Sequence, residues 1–192
     1  GLASLLRSAR RWMWSSEETR FYRAEANAAG SADSEIRRDH LRDLLCYEPA
    51  GRDSRSKQEF VSESLAAIES GVHCYSLVRN DMLVNCAWVA TPTSKAAFTE
   101  ALRSRQYPPE SAVIYDFYAK ASPGRQEDHA LLQRIVKDAT AEGAAAVFLA
   151  IPAEDRTARQ AAEEAGFKYQ DSVVRSVRFG SVKTKLVVRA NS

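Results

Sequence analysis

From Ser111 onward, apolar runs and turn residues alternate in an order that predicts strand, helix, strand, helix. Ser111 to Ala121 (SAVIYDFYAKA) is apolar, aromatic and β-prone, and it stops at Ser122-Pro123-Gly124. Leu131, Leu132, Ile135, Val136 and Ala139 then recur at helical spacing, with Gln133, Arg134, Lys137 and Asp138 on the other face. Gly143 ends this helix, and Ala144 to Ile151 (AAAVFLAI) is a short continuous apolar run suited to a buried strand. Pro152 to Asp155 turns the chain. Ala158, Ala161, Ala162 and Ala165 mark one face of a last small-residue helix, which closes on Gly166-Phe167. Two strands joined by a helical crossover are predicted as parallel neighbours in one mixed sheet. The crossover also sets a helix N-terminus beside a strand end, a common place to hold an anionic ligand.

The rest of the chain extends the pattern on both sides. Thr19 to Ala26 (TRFYRAEA) alternates as a strand, and Asn27 to Asp33 is a loop by composition. Ser34 to Tyr47 reads as a first helix through Ile36, Leu41, Leu44 and Leu45, ended by Pro49. After a charged, Ser-rich linker at 52–57, Phe60, Val61, Leu65 and Ile68 give a second helix closed by Gly71. Val72 to Val78 and Met82 to Ala90 flank Arg79-Asn80-Asp81, a predicted tight hairpin. A short helical insertion is predicted around Ala96 to Leu102. Val173 to Phe179 and Val182 to Arg189, split by Gly180-Ser181, read as a closing hairpin whose Arg175, Arg178, Lys183, Lys185 and Arg189 form solvated edge faces.

The first residues read differently. Leu2, Leu5, Leu6, Ala9, Trp12 and Met13 share one side of a helix, with Arg7, Arg10 and Arg11 elsewhere. Residues 1–18 are therefore expected as an N-terminal amphipathic helix, and 19–192 as a single domain. That helix could pack on its own domain, on a second subunit in a homodimer, or on an anionic membrane surface. It lacks the apolar core of a secretory signal, and a first residue of Gly fits a start inside a natural chain or after a removed tag.

Composition narrows the function classes. A net charge of +2 gives no strong pull toward nucleic acid. No apolar run is long enough for a transmembrane helix. Cys46, Cys74 and Cys86 lack metal-site spacing and read as reduced thiols in a cytoplasmic protein, with no metal and no disulfide framework.

The element order and the Ala165-Gly166-Phe167 ending resemble the core of the GNAT superfamily, the acyl-CoA-dependent N-acyltransferases. The resemblance covers about the last 120 residues well and the earlier ones by element order. It implies an α/β fold with a mixed central sheet and helices on both faces. It also implies transfer of an acyl group from acetyl-CoA or another acyl-CoA to a small-molecule amine. In that family an Arg/Gln-x-x-Gly-x-Gly/Ala loop holds the CoA pyrophosphate on backbone amides. Arg125-x-x-Asp128-x-Ala130 keeps the outer positions and puts a carboxylate at the middle glycine. The resemblance assigns cofactor contacts to Ala119, Ala121, Arg125, Gln126, Asp128, His129 and Ala130, and to Asp155 at the position of a family Asn. The family Tyr that protonates the leaving thiolate falls on Ala162. The alternative is a GNAT-fold binding or scaffold protein without acetyl-CoA chemistry.

Chemistry at the central strand is expected from Asp116, its one acidic residue and the candidate base, and from Tyr118. Tyr115 and Tyr118 are candidates to line an acceptor pocket. Glu127 and Asp128 read either as first-turn acids favoured by the helix dipole or as charges that repel a phosphate. His129 is placed to meet a ligand phosphate when protonated. Strand alternation separates His73 from Cys74 and argues against a dyad there.

Overall fold

A computed structural model describes residues 14–25, 35–49, 55–91, 94, 103, 105–119, 125–178 and 181–188. The described strands form one sheet. In chain order they are β1 (Trp14–Glu25), β2 (Arg37–Arg38), β3 (His73–Arg79), β4 (Met82–Ala90), β5 (Ser111–Ala119), β6 (Ala146–Pro152), β7 (Lys168–Arg178) and β8 (Ser181–Val188). Helices α1 (Leu41–Leu44) and α2 (Lys57–Glu69) precede β3, α3 (Arg125–Ala141) joins β5 to β6, and α4 (Arg156–Glu164) joins β6 to β7. The spatial order is β2-β3-β4-β5-β6-β1-β7-β8. All pairs are antiparallel except β5 with β6, which run parallel as the crossover predicts.

Each face of the sheet carries its own core. Leu131, Leu132, Ile135, Val136 and Ala139 of α3 bury against Tyr75, Leu77, Ala87, Ile114 and Leu149, with Ala162 and Phe167 completing the layer. Gly166, at φ +89°, turns the chain after α4 so that the Phe167 amide donates to the Ala162 carbonyl and its ring fills the core. The Ala-Gly-Phe ending is thus a helix stop followed by a core plug. On the opposite face, Leu44, Tyr47 and Phe60 from the α1–α2 region cover Cys74, Leu83, Cys86, Trp88 and Tyr118. Tyr47 stacks on Phe60 at 3.8 Å between ring centroids. A Ser56–Glu59 capping box starts α2. The predicted tight hairpin forms, with Asn80 and Asp81 both at positive φ as its handedness requires.

Three expectations change. β1 begins at Trp14, so 14–18 are strand, paired with Arg178 to Val174 of β7; the rest of the expected N-terminal helix lies outside the described residues. The helix expected over Ser34 to Tyr47 shrinks to Leu41–Leu44. Arg37 and Arg38 pair with Ser76 and Tyr75, and Asp39 adopts φ 53° with its carboxylate accepting the Cys74 amide, which breaks a helix there. In α2, Ser64 is buried and donates to the Phe60 carbonyl, whereas Leu65 is 41% exposed. The predicted insertion at 96–102 lies outside the described residues. No described helix is long and apolar enough to cross a membrane.

Candidate active site

β5 and β6 run together only briefly. Ser111 to Ile114 pair with Ala146 to Leu149, and there the parallel ladder stops. β5 continues along β4 to Ala119, while β6 continues along β1 to Pro152. Beyond Ile114 the β6-facing edge of β5 has no strand partner among the described residues. An extended ligand bearing amides can pair with such an edge by strand-type hydrogen bonds. The helix that follows β5, α3, starts at Arg125.

A bulge sits where the strands part. Trp88 of β4 lies opposite Asp116, but Val89 lies opposite Ile114, so Tyr115 is an extra residue on β5. Plain alternation would send Tyr115 and Asp116 to opposite faces. The bulge keeps both on the α2 side, where they line one cavity.

That cavity, about 360 Å³, lies between α2 and the β4–β5 pair and is walled by Arg55, Glu63, Ser64, Trp88, Tyr115 and Asp116 among others. Its size suits a small ligand. Arg55 Nη1 donates to Asp116 Oδ2 at 3.1 Å and to Glu63 Oε2 at 3.3 Å, and its guanidinium sits over the Phe60 ring. Two carboxylates share one arginine, so the wall carries a net negative charge suited to an ammonium group. Burial, reinforced by neighbouring Asp116 and Cys74, pushes the Tyr115 phenol up to about 12. It therefore stays protonated through the neutral range.

Glu127 and Asp128 both lie in the first turn of α3, as expected, but Asp128 is turned inward. Asp128 lies three and four residues before Leu131 and Leu132, on the buried stripe of the helix, and is itself buried. Asn85 Nδ2, fully buried on β4, donates to Asp128 Oδ1 at 2.6 Å. Burial raises the Asp128 carboxyl to about 6; the Asn85 hydrogen bond pulls it back in part, and Asp155 and Glu127 push it further. Glu127 is ion-paired to Arg79 at 2.8 Å.

The raised carboxyl predicts a pH effect with a definite sign. The folded state holds the Asp128 proton more tightly than the unfolded chain, whose carboxyl stays near 3.8. Its contribution to stability is therefore fully present below that value and is lost as pH rises through about 6. The ionised form costs the native state on the order of 2–3 kcal/mol. Asp128→Asn can still accept from Asn85 Nδ2 or donate to Asn85 Oδ1, which has no partner among the described residues. Thermal melts at pH 8 should show this variant more stable than wild type by several degrees, with the difference vanishing near pH 4. A variant less stable at pH 8 would refute this account of Asp128.

The other expected site residues scatter. The Tyr118 hydroxyl, expected in the chemistry, donates to the Glu48 carbonyl at 2.8 Å, and its ring is packed against Tyr47 and Phe60, so the side chain is committed to the core. Ala119 pairs with Asn85 at the end of β5. Ala121 and the Arg125 side chain lie outside the described residues. Gln126 is exposed, His129 is partly exposed and Ala130 packs on the α3 core. Asp155 caps α4, accepting the Ala158 amide at 3.1 Å. Ala162 is fully buried. Cys74 is buried while His73 pairs with Asp39, as strand alternation predicts.

Four contributors carry little signal in the sequence. Arg55 sits in an aperiodic linker, Glu63 reads as an ordinary surface acid of α2, and Trp88 looks like core. Asn85 had one detectable mark, being the lone polar residue within MLVNCAWVA.

No family model matches the sequence, and no curated protein matches it. Similar solved structures include a GCN5-related N-acetyltransferase from Sphaerobacter thermophilus, 15% identical, with a TM-score of 0.54 over 98% of this chain and 58% of that one. A GNAT-family acetyltransferase from Colwellia psychrerythraea is 12% identical, with a TM-score of 0.56 over 92% of this chain and 57% of its own. A conserved protein described as functionally unknown, from Staphylococcus epidermidis, is 14% identical, with a TM-score of 0.56 over 90% and 66%. The chain has the fold of the GCN5-related N-acetyltransferases, the GNAT fold. It spans between 57% and 66% of the length of these three structures.

Proposed function

We propose that the chain transfers an acyl group from a pantetheine thioester, of which acetyl-CoA is the familiar form, to an amine held in the α2–β5 cavity. The observation that carries this reading is the Tyr115 bulge, which aims Asp116 into a cavity beside the open edge of β5. Asp116 is the proposed base. Its carboxylate receives the ammonium proton, and Arg55 holds it in place. The Trp88 and Tyr115 rings shield the reacting amine from water, and the Tyr115 phenol, raised to about 12, acts as a hydrogen-bond donor rather than a proton source.

The fit to a CoA donor is uneven along its length. An amide-bearing arm suits the unpaired edge of β5. The diphosphate does not suit the start of α3, where Asp128 stands in place of the middle glycine and Glu127 adds a second carboxylate beside it. Ala162 offers no phenol for a leaving thiolate, but a thiol ionises at about 8.5, so thiolate can depart in mildly alkaline solution without an acid.

Buried Asp128 and Ala162 favour a second reading, a GNAT-fold binding protein without acyl chemistry. The two separate in one assay: thiol release from acetyl-CoA and from acetyl-pantetheine at pH 8 with a panel of primary amines. Amine-dependent release, with the acylated amine seen by mass spectrometry, is the expected result. Neither release nor calorimetric binding of either donor would leave the binding-protein reading.

A further inference from the structure

We infer that the acceptor is a primary amine with an apolar, uncharged tail, alkyl or aryl, and that the small inward stripe of α2 sets how large that tail can be. This names the substrate class of the acyl transfer proposed above and rests on that reading for where the amine sits. The stripe departs from the apolar pattern of the helix, since Leu65 is 41% exposed and Ser64 is buried instead. Glu63, Ala67 and Ser70 stand at i, i+4 and i+7 and share the cavity with Trp88 and Tyr115. From Glu63 to Ser70 the stripe runs about 10 Å along the helix axis.

The two ends of the stripe differ in chemistry. At the first, Arg55 Nη1 reaches both Asp116 Oδ2 at 3.1 Å and Glu63 Oε2 at 3.3 Å, which gathers every charged side chain of the described cavity wall in one place. Away from that end the polar groups are already used. Ser64 Oγ donates to the Phe60 carbonyl and Ser70 Oγ to the Ala67 carbonyl, each at 2.7 Å. The Ala66, Ala67 and Ile68 carbonyls accept from the amides of Ser70, Val72 and Gly71. What remains for a ligand there is largely hydrocarbon and aromatic ring.

An ammonium group therefore has its place beside Asp116 and Glu63, with the tail lying along Ala67 toward Ser70. A second ammonium on the tail would lose its water with no carboxylate near it among the described wall residues. A carboxylate next to the amine would meet Asp116 and Glu63, two like charges that share one guanidinium.

The experiment uses matched amines at pH 8, with acetyl-CoA and acetyl-pantetheine as donors. The pairs are hexylamine against diaminohexane, which adds an ammonium, and phenethylamine against phenylalanine, which adds a carboxylate. Each uncharged-tail amine should exceed its charged counterpart in kcat/KM by roughly tenfold or more, the cost of one buried unpaired group. From ethylamine to hexylamine, kcat/KM should rise roughly threefold for each methylene buried. Ala67→Leu fills the stripe and should lower the ratio of kcat/KM for phenethylamine to that for butylamine by roughly tenfold. The matched pairs use wild type, so they stand even if that variant misfolds. Calorimetric titration of the same amines, with and without CoA, reads the cavity apart from the transfer. Acylation of the charged counterparts within about threefold of the uncharged-tail amines, or a flat alkyl series, would overturn the inference while leaving acyl transfer intact. An Ala67→Leu variant that keeps its melting temperature and the wild-type ratio would also overturn it. Binding of hexylamine and phenethylamine ahead of their charged counterparts, with no acylation from either donor, would support this ligand class and remove the transfer reading alone.

Discussion

Asp116→Asn should lower kcat for amine acylation by about 10²- to 10⁴-fold, the usual contribution of a positioned base, with little change in KM or thermal stability. The stability side follows from exposure. Asp116 is 39% exposed and its partner Arg55 keeps Glu63, so the pair contributes no more than an ordinary surface ion pair, about 0–1 kcal/mol. The kinetic side follows from shape, since Asn matches Asp in size and still accepts from Arg55 but cannot take a proton from an ammonium. The contrast is Glu63→Gln. Glu63 is 61% exposed on the cavity rim, so removing its charge should raise KM for a cationic amine and leave kcat near wild type. A kcat for Asp116→Asn within about fivefold of wild type would remove Asp116 from the chemistry and with it the reason to place the amine in this cavity.

The parts of the fold that were legible in the sequence are those written in local periodicity. The stripe from Leu131 to Ala139 and the apolar runs of β5 and β6 sit where period and turn residues put them, and their parallel pairing followed from the crossover. Long-range pairing left no such trace. β1 inserts between β6 and β7, and β2 exists because two arginines pair across to Tyr75 and Ser76, against the local pattern of Ile36, Leu41 and Leu44. The site was half legible for a related reason. Asp116 stands out as the acid of an apolar strand, but its direction depends on one extra residue opposite Trp88, and a bulge has no period of its own. Asp128 shows the reverse: its spacing to Leu131 and Leu132 marked it as inward-facing, yet the rule that acids favour a helix start gave a sufficient local explanation. Burial on Asn85 is the stronger fact, because it ties the helix start to β4.

Arg105→Met should destabilise the protein by about 3–5 kcal/mol, the toll of leaving one charge of a buried pair without its partner. The Arg105 side chain is 9% exposed and that of Asp171 is 12% exposed; Nε and Nη2 of Arg105 reach the two carboxylate oxygens at 2.9–3.1 Å. The guanidinium lies over three rings, with Phe148 at 4.3 Å, Tyr107 at 5.1 Å and Phe21 at 5.4 Å from centroid to Cζ. Its remaining nitrogen, Nη1, has no oxygen partner among the described residues, and the electron-rich ring faces supply the compensation. Arg105 thereby ties the segment before β5 to β1, β6 and β7. Methionine keeps the apolar stem and removes the charge, so the largely buried Asp171 carboxylate loses its partner. At about 2–4 °C per kcal/mol for a chain of this size, the melting temperature should fall by roughly 6–20 °C. Adding Asp171→Leu to Arg105→Met should restore most of the loss, because two apolar side chains can fill the same space without a desolvated charge. A single-variant loss under about 1 kcal/mol would mean that solvent reaches the pair and that the aromatic box does not hold this segment to the sheet.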